Sequence, residues 1–286
     1  MILVFDGNPF IYKGQNFSPN NTCAGAEYLL SSLIEAVRAS HPDKVVVLFD
    51  PPTRYWRHAV YPDYKGHRKQ KDRVRLNVRE QINQMISVCK HLPVSVLCCP
   101  GYEADDAAYW VLNLVDTIDQ EQYPDDPELW THVNFVTIDR DWLQLVSAFS
   151  SVYLFDINEK ITEKNFSKFE CPSKPRGYDL KKFLDYKIIL GDTSDNIKGI
   201  PGFGPVRCKQ LIDSGNWKEY RLLSKDIHLR NSLLMDLRNI PFLPFAHQLY
   251  ESQWKSKGEL NLRALKPLLV GDMWSYAGEL NVFKEL

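Results

Sequence analysis

Val45-Val46-Val47-Leu48-Phe49-Asp50 is a run of five apolar residues, three of them β-branched, that shows no polar alternation and stops on an acid. A run of this kind buries both its faces, which is the habit of a parallel strand inside a sheet. Ile2-Leu3-Val4-Phe5 before Asp6 reads the same way, as does Val133-Asn134-Phe135-Val136-Thr137-Ile138 before Asp139. Residues 94–98 and 152–155 add two more strands. Between them, residues 26–37, 78–89 and 104–115 carry apolar residues at helical spacing. Strand and helix in alternation predict an α/β fold with a mostly parallel central sheet and helices on both faces.

The pattern changes after about residue 156. Pro172, Pro175 and Gly177 mark a boundary, so the chain divides into an α/β part, residues 1–175, and a helical part, residues 176–286. In the second part a helix over 180–190 leads to Gly199-Ile200-Pro201-Gly202-Phe203-Gly204, and another helix follows through residue 212. Short helices broken by Pro241, Pro244, Gly258, Pro267 and Gly271 complete it and read only as packing.

Composition excludes several classes. With 286 residues, 44% hydrophobic and 25% charged, the chain is neither disordered, collagen-like nor a coiled coil. No apolar run approaches the roughly 18 to 20 residues of a membrane span. The N-terminus lacks the basic and apolar regions of a signal peptide, and six cysteines form no C-x-x-C pair, so a cytoplasmic protein with reduced thiols is expected. Net charge is −1, so any affinity for a polyanion must come from local clustering.

In a parallel sheet, residues at the carboxyl ends of separate strands meet in space. Asp6, Asp50 and Asp139 are three such residues, and Asp141 follows two positions on. Glu103, Asp105 and Asp106 occupy the first turn of the helix after strand 94–98, and Asp192 and Asp195 follow helix 180–190. An acid in a first helical turn is favoured by the helix dipole, and Asp after a strand is ordinary turn chemistry. Neither preference requires every strand end to carry one. Nine like charges in one cleft need a counterion, and oxygen-only ligation suits Mg²⁺ or Mn²⁺ rather than zinc. Two such ions about 3.5 to 4 Å apart clamp the attacking and leaving oxygens of a phosphodiester.

Residues 54–79 hold Arg54, Arg57, Lys65, Arg68, Lys69, Lys71, Arg73, Arg75 and Arg79 against Asp63 and Asp72, a net +7 in a nearly neutral chain. Tyr55, Trp56, Tyr61 and Tyr64 are interleaved. A solvated face explains the cations but not the rings, whereas a polynucleotide path needs both. The glycine-rich turn lies between helices and not after a strand, so it fails as a dinucleotide-binding motif. Gly202 and Gly204 allow close backbone approach to a phosphate at the next helix start, with Arg207 and Lys209 close behind.

On these residues the chain resembles the flap endonuclease superfamily of 5′ nucleases, especially the bacteriophage 5′ exonuclease and ribonuclease H type and the 5′ nuclease domain of bacterial DNA polymerase I. Gly101-Tyr102-Glu103-Ala104-Asp105-Asp106 is similar to the family's Gly-x-Glu-Ala-Asp-Asp signature, and Thr137-Ile138-Asp139-Arg140-Asp141 to its Thr-x-Asp-x-Asp block. Leu190-Gly191-Asp192-Thr193-Ser194-Asp195-Asn196 resembles the acidic motif that leads into its helix-three-turn-helix, and Tyr64-Lys65-Gly66-His67-Arg68 its Tyr-Lys-x-x-Arg stretch near a helical arch. The motifs span residues 6 to 209. Where many members carry Lys shortly after the last glycine, this chain has Pro205-Val206 and then Arg207.

The resemblance implies a PIN-like fold with a helical arch and a helix-three-turn-helix at about residues 186–214. It implies a first Mg²⁺ served mainly by Asp6, Asp50, Glu103, Asp105 and Asp106, and a second by Asp139, Asp141, Asp192 and Asp195, with K⁺ as a further occupant at the helix-three-turn-helix. Tyr64 would stack on a base, and Lys65 and Arg68 would polarise the reacting phosphate. Arg54, Arg57, Lys69, Lys71, Arg73, Gly202, Gly204, Arg207 and Lys209 would line the DNA. The implied substrates are 5′ flaps, nicked duplexes and RNA–DNA hybrids, handled by a monomer of a bacterial cell or phage-infected host, with replication proteins as partners and no membrane. A Toprim-like domain would need neither the glycine turn nor the Tyr64 to Arg68 stretch. A haloacid-dehalogenase-like phosphatase needs a second Asp where Asn8 stands, and an inactive DNA-binding homologue should have lost acids that are all present here.

Overall fold

The computed structural model describes residues 1–67, 72–216 and 224–286, with only the backbone for residues 72–76. Six strands form the main sheet: β1 (Ile2–Asp6), β2 (Lys44–Leu48), β3 (Ser95–Leu97), β4 (Val133–Thr137), β5 (Ser150–Leu154) and β6 (Glu159–Ile161). Their order is β3-β2-β1-β4-β5-β6, and all neighbours run parallel except β5 and β6. The expected α/β class with its mostly parallel sheet is the observed one. The antiparallel edge strand β6 is an addition that sequence reading passes over, because only Ile161 of its three residues is buried.

Side chains along each central strand alternate between two apolar layers. Ile2, Val4, Val46 and Leu48 face one layer, with Trp110, Val111 and Trp142. Leu3, Phe5, Val45 and Val47 face the other, with Leu29, Leu33 and Val88. Full burial of such a side chain contributes roughly 1.5 to 3 kcal/mol. The first layer is built by α5 (Ala104–Gln122), and the second by α1 (Gly7–Phe17), α2 (Ala24–Ser40) and α4 (Asp72–Cys89), while the single-turn helices α3 (Arg57–Val60) and α6 (Glu163–Phe166) precede α4 and follow β6 along the chain. The C-terminal stretch enters both layers: Ala246 and Tyr250 join the first, and Leu265, Leu269, Met273, Leu280 and Phe283 the second. No helix among the described residues is long and apolar enough to cross a membrane.

Helix α1 is absent from the sequence reading, and its composition explains why. Its buried face is Gly7, Asn8, Phe10, Ile11, Gly14 and Gln15, with few apolar residues to mark a period. The small residues serve contact instead: a Cβ on Gly14 would lie 2.5 Å from the Tyr28 Cβ. Only glycine lets α1 and α2 approach this closely. Helix α7 (Leu180–Leu190) matches its expected bounds, followed by a two-stranded hairpin, β7 (Gly191–Asp192) and β8 (Ile197–Lys198), and then α8 (Pro205–Ser214).

Because β1 has β2 on one side and β4 on the other, the strand order reverses between β1 and β4. Ligands of open α/β sheets gather at such a reversal, beyond the carboxyl ends of the strands.

Candidate active site

Just beyond that reversal lies a cavity of about 140 Å³. Asp6, Asp50, Glu103, Asp105, Asp139, Asp141 and Asp195 line it, together with Asn8, Tyr12, Lys65 and Ser194. Seven of the nine expected carboxylates therefore meet in one place. Asp106 and Asp192 are not in the lining.

Local structure explains both groups. Asp6 ends β1, and the Thr137 hydroxyl at the end of β4 donates to its Oδ2 over 2.7 Å. The same hydroxyl accepts from the Asp139 backbone N–H at 2.9 Å, and Asp139 Oδ1 accepts from the Asp141 N–H at 2.8 Å. The Thr-x-Asp-x-Asp spacing is thus the spacing of one hydrogen-bonded turn. Asp50 Oδ1 accepts from the Ala104 N–H at 2.7 Å, at the start of α5. Gly101, at φ +88°, turns the chain into that helix. There Asp105 faces the cavity, with the Trp142 indole N–H donating to its Oδ1 at 2.7 Å.

Asp106, one position on, faces the other way. Its carboxylate accepts from Arg57 Nη1 and Nη2 at 3.0 and 2.7 Å, from Trp56 Nε1 at 3.1 Å and from the Glu103 backbone N–H at 2.9 Å. Those donors occupy both oxygens, so its role here is to anchor the helix start. Arg57 differs from expectation in the same way. Expected on a nucleic-acid path, it is 3% exposed, and its Nε donates to the Leu234 carbonyl at 2.9 Å.

Tyr64 is also buried, with its hydroxyl oxygen 2.8 Å from Glu103 Oε2 and 2.9 Å from Asp195 Oδ2, so that its single proton is shared between the two acids. The hydroxyl braces two acids, whereas the expectation was a ring free to stack on a base. Lys65 sits at a left-handed φ of 53°, its backbone N–H donating to the Asp195 carbonyl at 2.8 Å. Its ammonium reaches the cavity, bonds Glu103 Oε1 and lies 3.8 Å from Asp195 Oδ1.

Lys187 is a residue sequence reasoning missed. Buried in α7, it pairs with Asp141. A lysine at helical spacing reads as surface, and its only signal is a position among the buried residues Phe183, Leu184 and Ile188. Asp192, on β7, accepts at Oδ1 from the Ser194 N–H and Oγ at 2.7 and 2.6 Å.

The electrostatics divide the acids. Burial, then repulsion from Asp139 and Asp50, raises Asp6 well above the usual carboxylate range, against the Thr137 bond. Burial and Glu103 raise Asp50, and burial with Asp139, Glu103 and Asp6 raises Asp105 strongly. Burial and Asp141 lift Asp139 to about 6. Burial pushes Glu103 up as well, but Lys65 and Arg57 outweigh it and hold the carboxyl low. In Asp192 burial is likewise outweighed, by Lys187 and the Ser194 bonds.

Among the described residues no group of three or more His, Cys, Asp or Glu side chains stands ready-made as a metal-binding set. Glu103 turns to Arg57, Tyr64 and Lys65, Asp141 to Lys187, and Asp105 to Trp142. The donor set nonetheless fits a hard divalent cation, since its ligating atoms are oxygens and Asp6, Asp50, Asp105 and Asp139 form no ion pair among the described residues.

Of the expected nucleic-acid contacts, Arg54, Arg207 and Lys209 are exposed. Gly202 takes φ +84°, and its carbonyl accepts from Arg207 Nη1 at 3.1 Å. Lys209 pairs with Asp213 at 2.5 Å, and Gly204 precedes α8. Arg68, Lys69 and Lys71, and the side chains of Arg73 and Arg75, lie outside the described residues.

Comparison with solved structures defines the class of fold. The bacteriophage T5 D15 flap endonuclease, solved as a pseudo-enzyme-product complex with DNA and metal ions, superposes with a TM-score of 0.66 at 19% identity, over 100% of this chain and 99% of that one. The catalytic core of Rad2 in complex with DNA substrate follows at 0.51 and 16% identity, over 98% and 90%. This is the fold of the 5′ nucleases. In sequence, the family described as 5′-3′ exonuclease, N-terminal resolvase-like domain, matches residues 1–170. A 5′-3′ exonuclease of Aquifex aeolicus is 30% identical over 237 residues, 77% of this chain and 74% of that protein. DNA polymerase I of Deinococcus radiodurans is 31% identical over 185 residues, 64% of this chain but 16% of the polymerase. The chain belongs to the 5′-3′ exonuclease family.

Proposed function

We propose that this 5′ nuclease hydrolyses phosphodiester bonds near the 5′ ends of flaps, nicked duplexes or RNA–DNA hybrids, with two divalent cations, in primer removal during DNA replication or repair. The observation that carries the reading is the single cavity where seven carboxylates and Lys65 converge at the strand-order reversal. Asp6, Asp50, Glu103 and Asp105 would hold one ion, and Asp139, Asp141 and Asp195 the other. When bound, Mg²⁺, or Mn²⁺ in its place, supplies countercharge, a nucleophile at neutral pH and Lewis-acid stabilisation of the phosphate.

The chain's own residues do the rest. Thr137, Trp142 and Lys187 fix the acids from behind. Lys65, at the cavity wall, places a cation where negative charge develops on the phosphate, and Arg68 is its partner in that task. Asp106 and Asp192 act through their hydrogen bonds on neighbouring groups. Arg54, Lys69, Lys71, Arg73 and the Gly202 to Lys209 turn contact the DNA backbone, with K⁺ at that turn, and residues 1–175 form the nuclease core, to which the helical part adds Asp195. The protein works as a cytoplasmic monomer alongside replication proteins.

The test is to incubate the purified protein with Mg²⁺ and 5′-labelled flap, nicked-duplex and RNA–DNA substrates and to size the products. Short 5′ products that vanish in Asp105→Asn are expected. Absence of cleavage by the unaltered protein on all three substrates rejects the reading.

A further inference from the structure

Trp142 is fully buried, and its indole N–H donates to Asp105, the one side-chain hydrogen bond that this carboxylate receives among the described residues. The two residues belong to different elements. Asp105 rides on the first turn of α5 with Glu103 at the helix cap, while Trp142 lies in the 3-10 turn Arg140–Leu145, which also carries Asp141 and follows directly on Asp139. The bond therefore spans the cavity's two groups of acids. The ring is held edge-on against Phe135 of β4, centroids 5.6 Å apart at 86°, so the indole has little freedom to turn.

Asp105 is where such a bond matters. Its carboxylate lines the cavity together with Asp6, Glu103 and Asp139, the acids it must be held apart from and aligned with. An indole N–H is donor-only and uncharged, so it holds one carboxylate oxygen in place without adding a cation that would compete with a metal.

We infer that Trp142 is a positioning residue of the nuclease, one that orients Asp105 and sets the spacing between the Glu103–Asp105 and Asp139–Asp141 groups so that both can engage divalent cations. The inference rests on the proposed metal-dependent function. Donors behind metal ligands affect metal affinity on the order of 10- to 100-fold.

Trp142→Phe removes the N–H and keeps an aromatic ring. Calorimetric titration with Mn²⁺ and with Mg²⁺ should show cation affinity reduced by about 10- to 100-fold, with kcat on a labelled 5′ flap falling and KM for DNA little changed. Trp130→Phe is the control, since that indole donates to the Tyr123 carbonyl and its loss should leave cation affinity and kcat as they were. A purely structural Trp142 would lower the melting temperature and leave the cation affinity of the folded protein intact, which overturns the inference. A second measurement uses the unaltered protein labelled with ¹⁵N-tryptophan. The Trp142 indole resonance, identified through its contacts to the Phe135 ring, should move on Mg²⁺ addition with the calorimetric midpoint, and a resonance indifferent to Mg²⁺ overturns the inference equally. If the unaltered protein neither binds cation nor cleaves, the proposed function fails and takes this inference with it. If it does both and Trp142→Phe matches it, only the inference fails.

Discussion

Arg57 holds Asp106 through two parallel hydrogen bonds, 2.7 and 3.0 Å long, with both side chains shut away from solvent. The same guanidinium bonds Glu103 at 2.9 Å, so one cation neutralises two buried acids. Removing one member of a buried pair strands the other, at a cost of about 3 to 5 kcal/mol. Arg57→Ala should lower the urea midpoint accordingly with little change in m-value. The salt dependence of DNA binding should stay the same, because the guanidinium is buried and bonded to Asp106, Glu103 and the Leu234 carbonyl. A reduced salt slope with unaltered stability would return Arg57 to the nucleic-acid path.

Cation and pH should act on stability together. Asp6, Asp50, Asp105 and Asp139 have raised values in the folded protein, Asp139 to about 6. A carboxyl whose folded value is raised contributes stability that is complete below the ordinary carboxylate range and is lost as pH climbs through the folded value. Glu103 and Asp192, held low, act oppositely but only below that ordinary range. Without divalent ions the melting temperature should therefore fall from pH 5 to pH 8 on account of these acids. Mg²⁺ should raise it more at pH 8 than at pH 5, and Asp139→Asn should flatten the metal-free slope. Identical slopes in variant and parent would remove Asp139 from this account.

Lys65→Ala tests the cationic side of the cavity. If the ammonium acts on the phosphate in the transition state, kcat should fall by orders of magnitude while duplex affinity hardly moves, since such interactions are expressed in turnover. A loss confined to binding makes Lys65 a positioning contact only.

The exposed Arg207, just inside α8, is the simplest probe of duplex contact. Its replacement by Ala should reduce the salt slope of DNA binding by about 1. No change in slope would leave it a solvated side chain.

Strand residues that ended on acids were readable because burial on both faces leaves an unbroken apolar run, and the reversal of strand order then gathers Asp6 and Asp139 without further information. What could not be read was direction. Asp105 and Asp106 are adjacent and chemically identical, yet helix phase sends one into the cavity and the other to Arg57. Arg57 and Tyr64 looked like surface residues in a basic, aromatic stretch, and only the Leu234 carbonyl and the Glu103 and Asp195 carboxylates, distant in sequence, reveal that they are buried. Trp142 carries no local signal and Lys187 only its place among the apolar residues of α7, because a buried donor is recognised by its partner. Helix α1 escaped notice since glycines, and not leucines, form its contact face.

The place of β1 in the sheet bears on when the acidic cavity can form during folding. Among the strands described, β1 comes first in the chain yet is central, flanked by β2 and by a strand that begins at Val133, and its apolar layer is completed by residues up to Phe283. Pairings this distant in sequence form late. A chain whose later strands are not yet in place thus carries Asp6 with no Thr137 to orient it and no Asp139 beside it, so the acidic cavity is assembled only when the sheet is complete.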